Sequence, residues 1–173
     1  VERCRECTGR RLGFASARAG VAYAGAARPL VAAWKEHGLR RVAAFAAELV
    51  ASAVEPPTAD VITYIPPDPD RLLRRGHHPA ERLARALGRH WSLPAVPLLV
   101  RGARGPRQAT LARADRLGNV RDAFVAVAAV PERVVLVDDV YTTGATASAG
   151  ATVLRRAGAN RVDVVAFART VRS

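Results

Sequence analysis

The sequence predicts an α/β fold with a mainly parallel sheet flanked by helices. Three observations carry that expectation. Val134-Val135-Leu136-Val137 is a continuous, mostly β-branched run, the pattern of a parallel strand buried on both faces. A helical stretch begins near Gly144, continues through Ala149, Val153 and Leu154 and ends at Gly158, a residue suited to a helix C-terminus. A second strand-like run follows from Val162 to Phe167. Strand, helix and strand in that order make a right-handed crossover, the unit from which parallel sheets are built.

The remaining elements follow in chain order. Between Arg28 and Val54, apolar residues such as Leu30, Val31, Trp34, Val42, Leu49 and Val50 recur every three to four positions with Gly38 interrupting, which predicts one interrupted helix or two short ones. Together with what precedes it, this gives a short helical N-terminal part. Pro56-Pro57 stops the helix, Val61 to Ile65 reads as a short strand, and Pro66-Pro67 closes it. The stretch from Asp68 to His78 is polar, and Pro79 suits the first turn of a helix over Ala80 to Arg89. Val96 to Val100 is a further apolar run, and Ala123 to Val127 a candidate strand. Between them lies an Arg- and Gly-rich segment from Arg101 to Gly118, and loops of that length in compact domains often serve function.

Composition narrows the class. At 173 residues the chain has the length of one domain, in which roughly 70% of the unfolded surface can be buried. Half of the residues are apolar, yet aromatics make up 5% and Met is absent, so Ala, Val and Leu must fill the core. No stretch approaches the ~20 apolar residues of a membrane span, and Arg and Cys stand where a signal peptide would be apolar, so the chain reads as cytoplasmic. The formal charge of +12 is nearly all arginine, with Lys35 the sole lysine. So uniform a bias reflects base composition as much as polyanion binding, and the positions of particular arginines carry more weight than their number. Cys4 and Cys7 form a C-x-x-C pair, suggesting metal or redox chemistry, but one pair cannot complete a four-ligand zinc site.

The chemistry concentrates in the thirteen residues from Val134 to Thr146. A hydrophobic strand runs into Asp138 and Asp139, then into a turn of Thr142, Thr143, Gly144, Ala145 and Thr146 that opens a helix. Ligands of open α/β sheets bind beyond the carboxyl ends of strands, where these residues fall. Backbone N–H groups at a helix N-terminus favour a phosphate, the threonine hydroxyls add donors, and Gly144 permits close approach or positive φ. The adjacent carboxylates can accept hydrogen bonds from a sugar diol. Phosphate on one side and diol on the other describe a ribose-5-phosphate.

This run resembles the phosphoribosyl-pyrophosphate (PRPP) signature of the type I phosphoribosyltransferases. The resemblance extends to their ComF-type branch, associated with DNA uptake in competent bacteria. Ile65-Pro66-Pro67 with Asp68, Arg71, Arg74, Arg75 and Gly76 resembles the pyrophosphate loop, backed by the helix through Leu87. Arg104, Arg107 and Gln108, with Leu111, Arg116, Asn119 and Ala123-Phe124, resemble the mobile loop and following strand. Leu12 to Val50, with Tyr23, Gly25, Leu30 and Lys35, resembles the preceding helical part. Where the branch usually carries an aromatic-Asn-Gln run, this sequence has His77-His78-Pro79. Family members often carry two C-x-x-C pairs ahead of the domain, so residues 1–20 are expected to be the remnant of that module and 21–173 the phosphoribosyltransferase-like domain.

The resemblance implies binding of PRPP with Mg²⁺ and transfer of ribose-5-phosphate to a nitrogenous acceptor, releasing pyrophosphate. Asp138, Asp139 and Arg71 are the implied catalytic residues, and Mg²⁺ is held mainly by PRPP, with no direct protein ligand. Two other functions are compatible with it: PRPP or nucleotide binding without turnover, and an accessory role in DNA uptake, with nucleic acid or competence machinery as partner. A homodimer is also allowed.

Overall fold

The structure, a computed structural model, describes residues 12–37, 40–102 and 123–171. The chain enters with strand β1 (Ser16–Ala22), followed by helices α1 (Ala27–His37) and α2 (Arg40–Ala53) and strand β2 (Val61–Tyr64). Helices α3 (Pro69–Arg75) and α4 (Pro79–Trp91) lead to the short strands β3 (Leu99–Arg101) and β4 (Phe124–Ala126). Strand β5 (Arg133–Tyr141), helix α5 (Ala145–Arg156) and strand β6 (Arg161–Arg169) complete it. Four strands form one parallel sheet in the order β1-β6-β5-β2, and β3 and β4 pair antiparallel in a separate two-stranded sheet.

Both faces of the sheet are covered, which explains the unbroken apolar run in β5. Successive strand residues point to opposite faces. Val135 and Val137 pack in one core cluster with Trp34 of α1, Val50 of α2 and Leu83 and Leu87 of α4. Val134 and Leu136 pack in a second with Ala151 and Leu154 of α5, Leu99, Phe124 and Phe14. The expected α/β architecture with flanking helices is observed, and the two short N-terminal helices fall where the periodicity put them.

Three elements differ from the sequence expectation. The N-terminal part is not wholly helical: Ser16–Ala22 is a strand, paired with β6 from Ser16 opposite Asp163 to Ala22 opposite Arg169. Its small residues carry no apolar alternation, and the pairing is supplied by β6. A Cβ at Gly20 would lie 2.9 Å from Val50 Cγ2, so the missing side chain lets α2 pack against this strand. The strand also crosses the expected boundary between residues 20 and 21. Second, the polar stretch after Pro67 folds into α3. Asp68 caps it by accepting from the Asp70 N–H at 3.1 Å, Pro69 opens it, and the Gly76 N–H donates to Leu72 O at 2.8 Å to close it. Third, β5 continues through both acids to Tyr141, beyond the predicted end at Val137.

That overhang positions the site. β2 pairs with β5 only from Val61 opposite Val134 to Tyr64 opposite Val137, and one further bond runs from the Ile65 N–H to Val137 O at 2.9 Å. Pro66 and Pro67 have no N–H with which to continue the ladder. On the other side, β6 follows β5 out to Tyr141 opposite Arg169. Asp138 and Asp139 therefore lie on a strand supported on one edge and open on the other. Leu136, fully buried beneath them, anchors this strand in the second cluster. Leu136→Ala is expected to cost about 2–5 kcal/mol of stability by urea denaturation, the range for a buried leucine that leaves a cavity.

Candidate functional site

The open edge of β5 forms the floor of a cleft of about 220 Å³. One wall is the chain from Ile65 to Asp68 and helix α3, which contributes Arg71, Leu72 and Arg75. His77, His78 and Pro79 close the back, Lys35 of α1 and Arg101 of β3 enter from the sides, and Asp138, Asp139 and Thr146 lie on the β5–α5 side. A smaller hollow of about 20 Å³ adjoins it, bounded by Asp138, Tyr141, Thr142 and Gly144 to Ala147, with room for roughly one water-sized group. Asp138 and Thr146 border both.

The turn opens α5 on a glycine in the left-handed region. Gly144 has φ +73° and, as a glycine, offers no side chain of its own to cap α5. A Cβ on Gly144 would overlap the Tyr141 hydroxyl and lie 2.7 Å from Tyr141 Cζ, so the glycine is required by the packing as well as by the backbone angle. Tyr141 itself is buried, edge-on to Phe14 at 6.3 Å between centroids. Thr142, Thr143 and Thr146 are exposed at the mouth, and the Thr143 hydroxyl accepts from the Ala145 N–H at 3.4 Å.

The two acids are not equivalent. Asp139 pairs with Lys35, Oδ1 to Nζ at 3.0 Å. Asp138 accepts from the Asp139 N–H at 2.8 Å. As a residue Asp138 is only half-buried, but desolvation of its carboxyl, followed by the charge of Asp139, lifts it from the usual carboxylate range to about 8. His78 sits at the N-cap of α4, edge-on to Tyr64 at 5.2 Å and 3.6 Å from Glu81 Oε2. Burial lowers its proton affinity, partly offset by Glu81 and Asp139.

On the α3 wall, Arg71 and Arg75 are four residues apart on one helical face, and both reach the cleft. Arg75 is also bound to Glu36 at 2.7 Å. Arg74, predicted beside them, is exposed and not among the lining residues, because α3 turns it a quarter of the way round the helix from Arg75. Pro67 and Asp68 line the cleft as expected, with Asp68 also serving as the α3 cap. Arg101 Nε donates to Pro67 O at 3.1 Å, and its guanidinium lies 5.3 Å from the Phe124 ring centroid. Arg104, Arg107, Gln108, Cys4 and Cys7 lie outside the described residues. Lys35 and Arg101 were not among the predicted site residues. The one signal for Lys35 was that a chain this rich in arginine contains a single lysine.

Comparison with known proteins adds an independent line. No family model matches the chain. Competence protein F of Haemophilus influenzae is 34% identical over 104 residues, 57% of this chain and 45% of that protein. Competence protein ComFC of Streptococcus pneumoniae is 32% identical over 106 residues, 61% of this chain and 46% of that protein. The matches support a ComF-type, phosphoribosyltransferase-like family. The chain spans about half the length of these curated relatives. Among solved structures, the allosteric regulatory enzyme of purine biosynthesis superposes with a TM-score of 0.50 at 26% identity, covering 72% of this chain and 25% of that one. The glutamine PRPP amidotransferase of B. subtilis gives 0.48 at 28%, over 74% and 25%. Among the described residues, no helix is long and apolar enough to cross a membrane, and no cluster of three His, Cys, Asp or Glu side chains is arranged to hold a metal.

The raised Asp138 sets a pH dependence. A carboxyl with a folded-state pKa above its unfolded value of ~3.9 keeps a proton that the unfolded chain has lost, so stability falls as pH rises between about 4 and about 8. His78, whose proton affinity burial lowers, acts in the opposite sense, with stability falling as pH drops below its unfolded value of ~6.5. Subtracting the melting curves of Asp138→Asn from those of the parent isolates the first effect. The variant is expected to gain in melting temperature relative to the parent as pH rises from 5 to 8, and a constant difference would contradict the shift.

Proposed function

We propose that this chain binds PRPP with Mg²⁺ and transfers ribose-5-phosphate to a nitrogenous acceptor, releasing pyrophosphate. The observation that carries the reading is the division of charge around one cleft. The acids Asp138 and Asp139 lie on the floor, the N-terminus of α5 on one side and the Arg71–Arg75 wall on the other. The 5-phosphate belongs at the turn from Thr142 to Thr146, where Thr146 borders the cleft and Gly144 supplies the positive φ that starts α5. The ribose hydroxyls donate to Asp138 and Asp139. Pyrophosphate then lies toward Pro67, Asp68, Arg71 and Arg75.

In the reaction, the bond from the anomeric carbon to the pyrophosphate oxygen breaks, the acceptor nitrogen bonds to that carbon, and the nitrogen loses a proton. Positive charge develops on the sugar while negative charge grows on the leaving group, as in other glycosyl transfers. Arg71 and Arg75 stabilise the leaving group, and the carboxylate floor faces the sugar. His77 and His78 line the back of the cleft, on the side from which an acceptor could reach the sugar. The donor chemistry fits Mg²⁺, which binds substrate phosphates with few protein carboxylates, and Asp138 and Asp139 are the carboxylates at hand. When bound it would neutralise charge on the departing pyrophosphate.

The two competence proteins favour a second reading, an accessory role in competence. Pyrophosphate release in a screen of nitrogenous bases supports transfer, binding without release supports a non-catalytic PRPP or nucleotide site, and salt-sensitive DNA binding that survives Asp138→Asn supports the accessory role.

Saturating PRPP with Mg²⁺ is expected to raise the melting temperature by roughly 5–10 °C. Ligand at ~100 times its dissociation constant contributes about 2.7 kcal/mol, and a domain of this size shifts about 2–4 °C per kcal/mol. Plain pyrophosphate, unable to occupy turn and acid pair together, gives a smaller rise. Asp138→Asn and Asp139→Asn each weaken PRPP binding by calorimetry with the fold retained. Gly144→Val abolishes the shift, because its side chain meets Tyr141 and strains the turn. No shift in the parent at saturation would reject the assignment.

A further inference from the structure

Resting on the PRPP reading, we infer that Lys35 of α1, which pairs with Asp139, is a pyrophosphate-contacting residue that transfers to the phosphate oxygens when ligand enters. The argument begins with how the cleft cations are committed. Arg75 is bound to Glu36 at 2.7 Å, and Arg101 Nε is directed at Pro67 O at 3.1 Å. Neither Glu36 nor the Pro67 carbonyl is a group to which the ribose hydroxyls are assigned. Lys35 differs, because its partner at 3.0 Å is Asp139, one of the two carboxylates to which the ribose hydroxyls are assigned. A diol donating to Asp139 takes over part of the charge compensation that Lys35 supplies.

The second consideration is reach. Lys35 is 27% exposed on its side chain and lines the same cleft as Arg71, so its ammonium needs no backbone change to face a ligand there. A lysine is a point charge on a flexible four-carbon stem and can change partners by rotation, whereas a guanidinium held in a fork cannot do so cheaply. Pyrophosphate carries more negative charge than one carboxylate and competes effectively for that ammonium. The rest of α1 stays in place, since the adjacent Trp34 is fully buried and its carbonyl lies 2.7 Å from His77 Nε2.

The composition makes the test direct, because Lys35 is the sole lysine of the chain and the N-terminal amine is the other reactive amine. Acetic anhydride labelling read by peptide mass gives the reactivity of Lys35 alone. PRPP with Mg²⁺ and pyrophosphate with Mg²⁺ are both expected to protect it, whereas ribose 5-phosphate leaves it as reactive as in the empty protein or more so. Lys35→Gln should weaken PRPP binding roughly tenfold or more, the fold-change of one charge-assisted hydrogen bond, with a smaller effect on ribose 5-phosphate and partial recovery in Lys35→Arg. Protection by ribose 5-phosphate equal to that by pyrophosphate, or unchanged PRPP affinity in Lys35→Gln, would make Lys35 a support for Asp139 only and overturn the inference. If the parent itself fails to bind PRPP, the reading of the site falls along with it. Should Lys35→Gln not fold, the labelling of the parent decides alone.

Discussion

The hydrogen-bond ladder between β2 and β5 ends with the Ile65 N–H on Val137 O, and the cleft depends on that ending. Two consecutive prolines withdraw the donors that would carry the ladder past Asp138, while β6 holds the other edge of β5 as far as Tyr141. The strand is thereby rigid where the acids stand, yet unpartnered on the side from which a ligand must come. Everything polar in the site is arranged around that gap, from the α3 wall to the lysine of α1. Asp138 and Asp139, adjacent in sequence, point to opposite faces of the strand, Asp138 toward the start of α5 and Asp139 toward Lys35 of α1, which is why they differ so much in their surroundings.

Much of this was legible in the sequence because the informative residues act locally. A β-branched run, a diacid and a Thr-Gly turn name a strand, its functional end and a helix start without reference to anything distant. The same holds for the prolines that close β2 and open α4. Strand β1 was hidden for the opposite reason. Its alanines, serine and glycine have no periodicity, and it is a strand only because β6, some 145 residues later in the chain, offers it an edge. Helix α3 had signals in Asp68, Pro69 and Gly76 that could have been read. Its seven residues bury none of their side chains, so the apolar spacing that reveals longer helices was missing.

The roles of individual cations were the least legible part of the site. Arg71, Arg74 and Arg75 look alike in a chain full of arginine, and only the turn of a helix separates two that reach the cleft from one that does not. Lys35 illustrates the limit from the other side. Its distance from Asp139 in sequence exceeds one hundred residues, and no local pattern joins them. The pairing follows from α1 packing over the sheet face onto which Asp139 projects.

The position of β1 bears on how the chain tolerates shortening. Because this strand forms the outer edge of the sheet, a chain beginning at residue 21 would leave most of β6 with a row of unsatisfied N–H and C=O groups. Such an edge is a template for pairing with other chains, so the shortened protein would be prone to self-association even with every residue around the cleft intact.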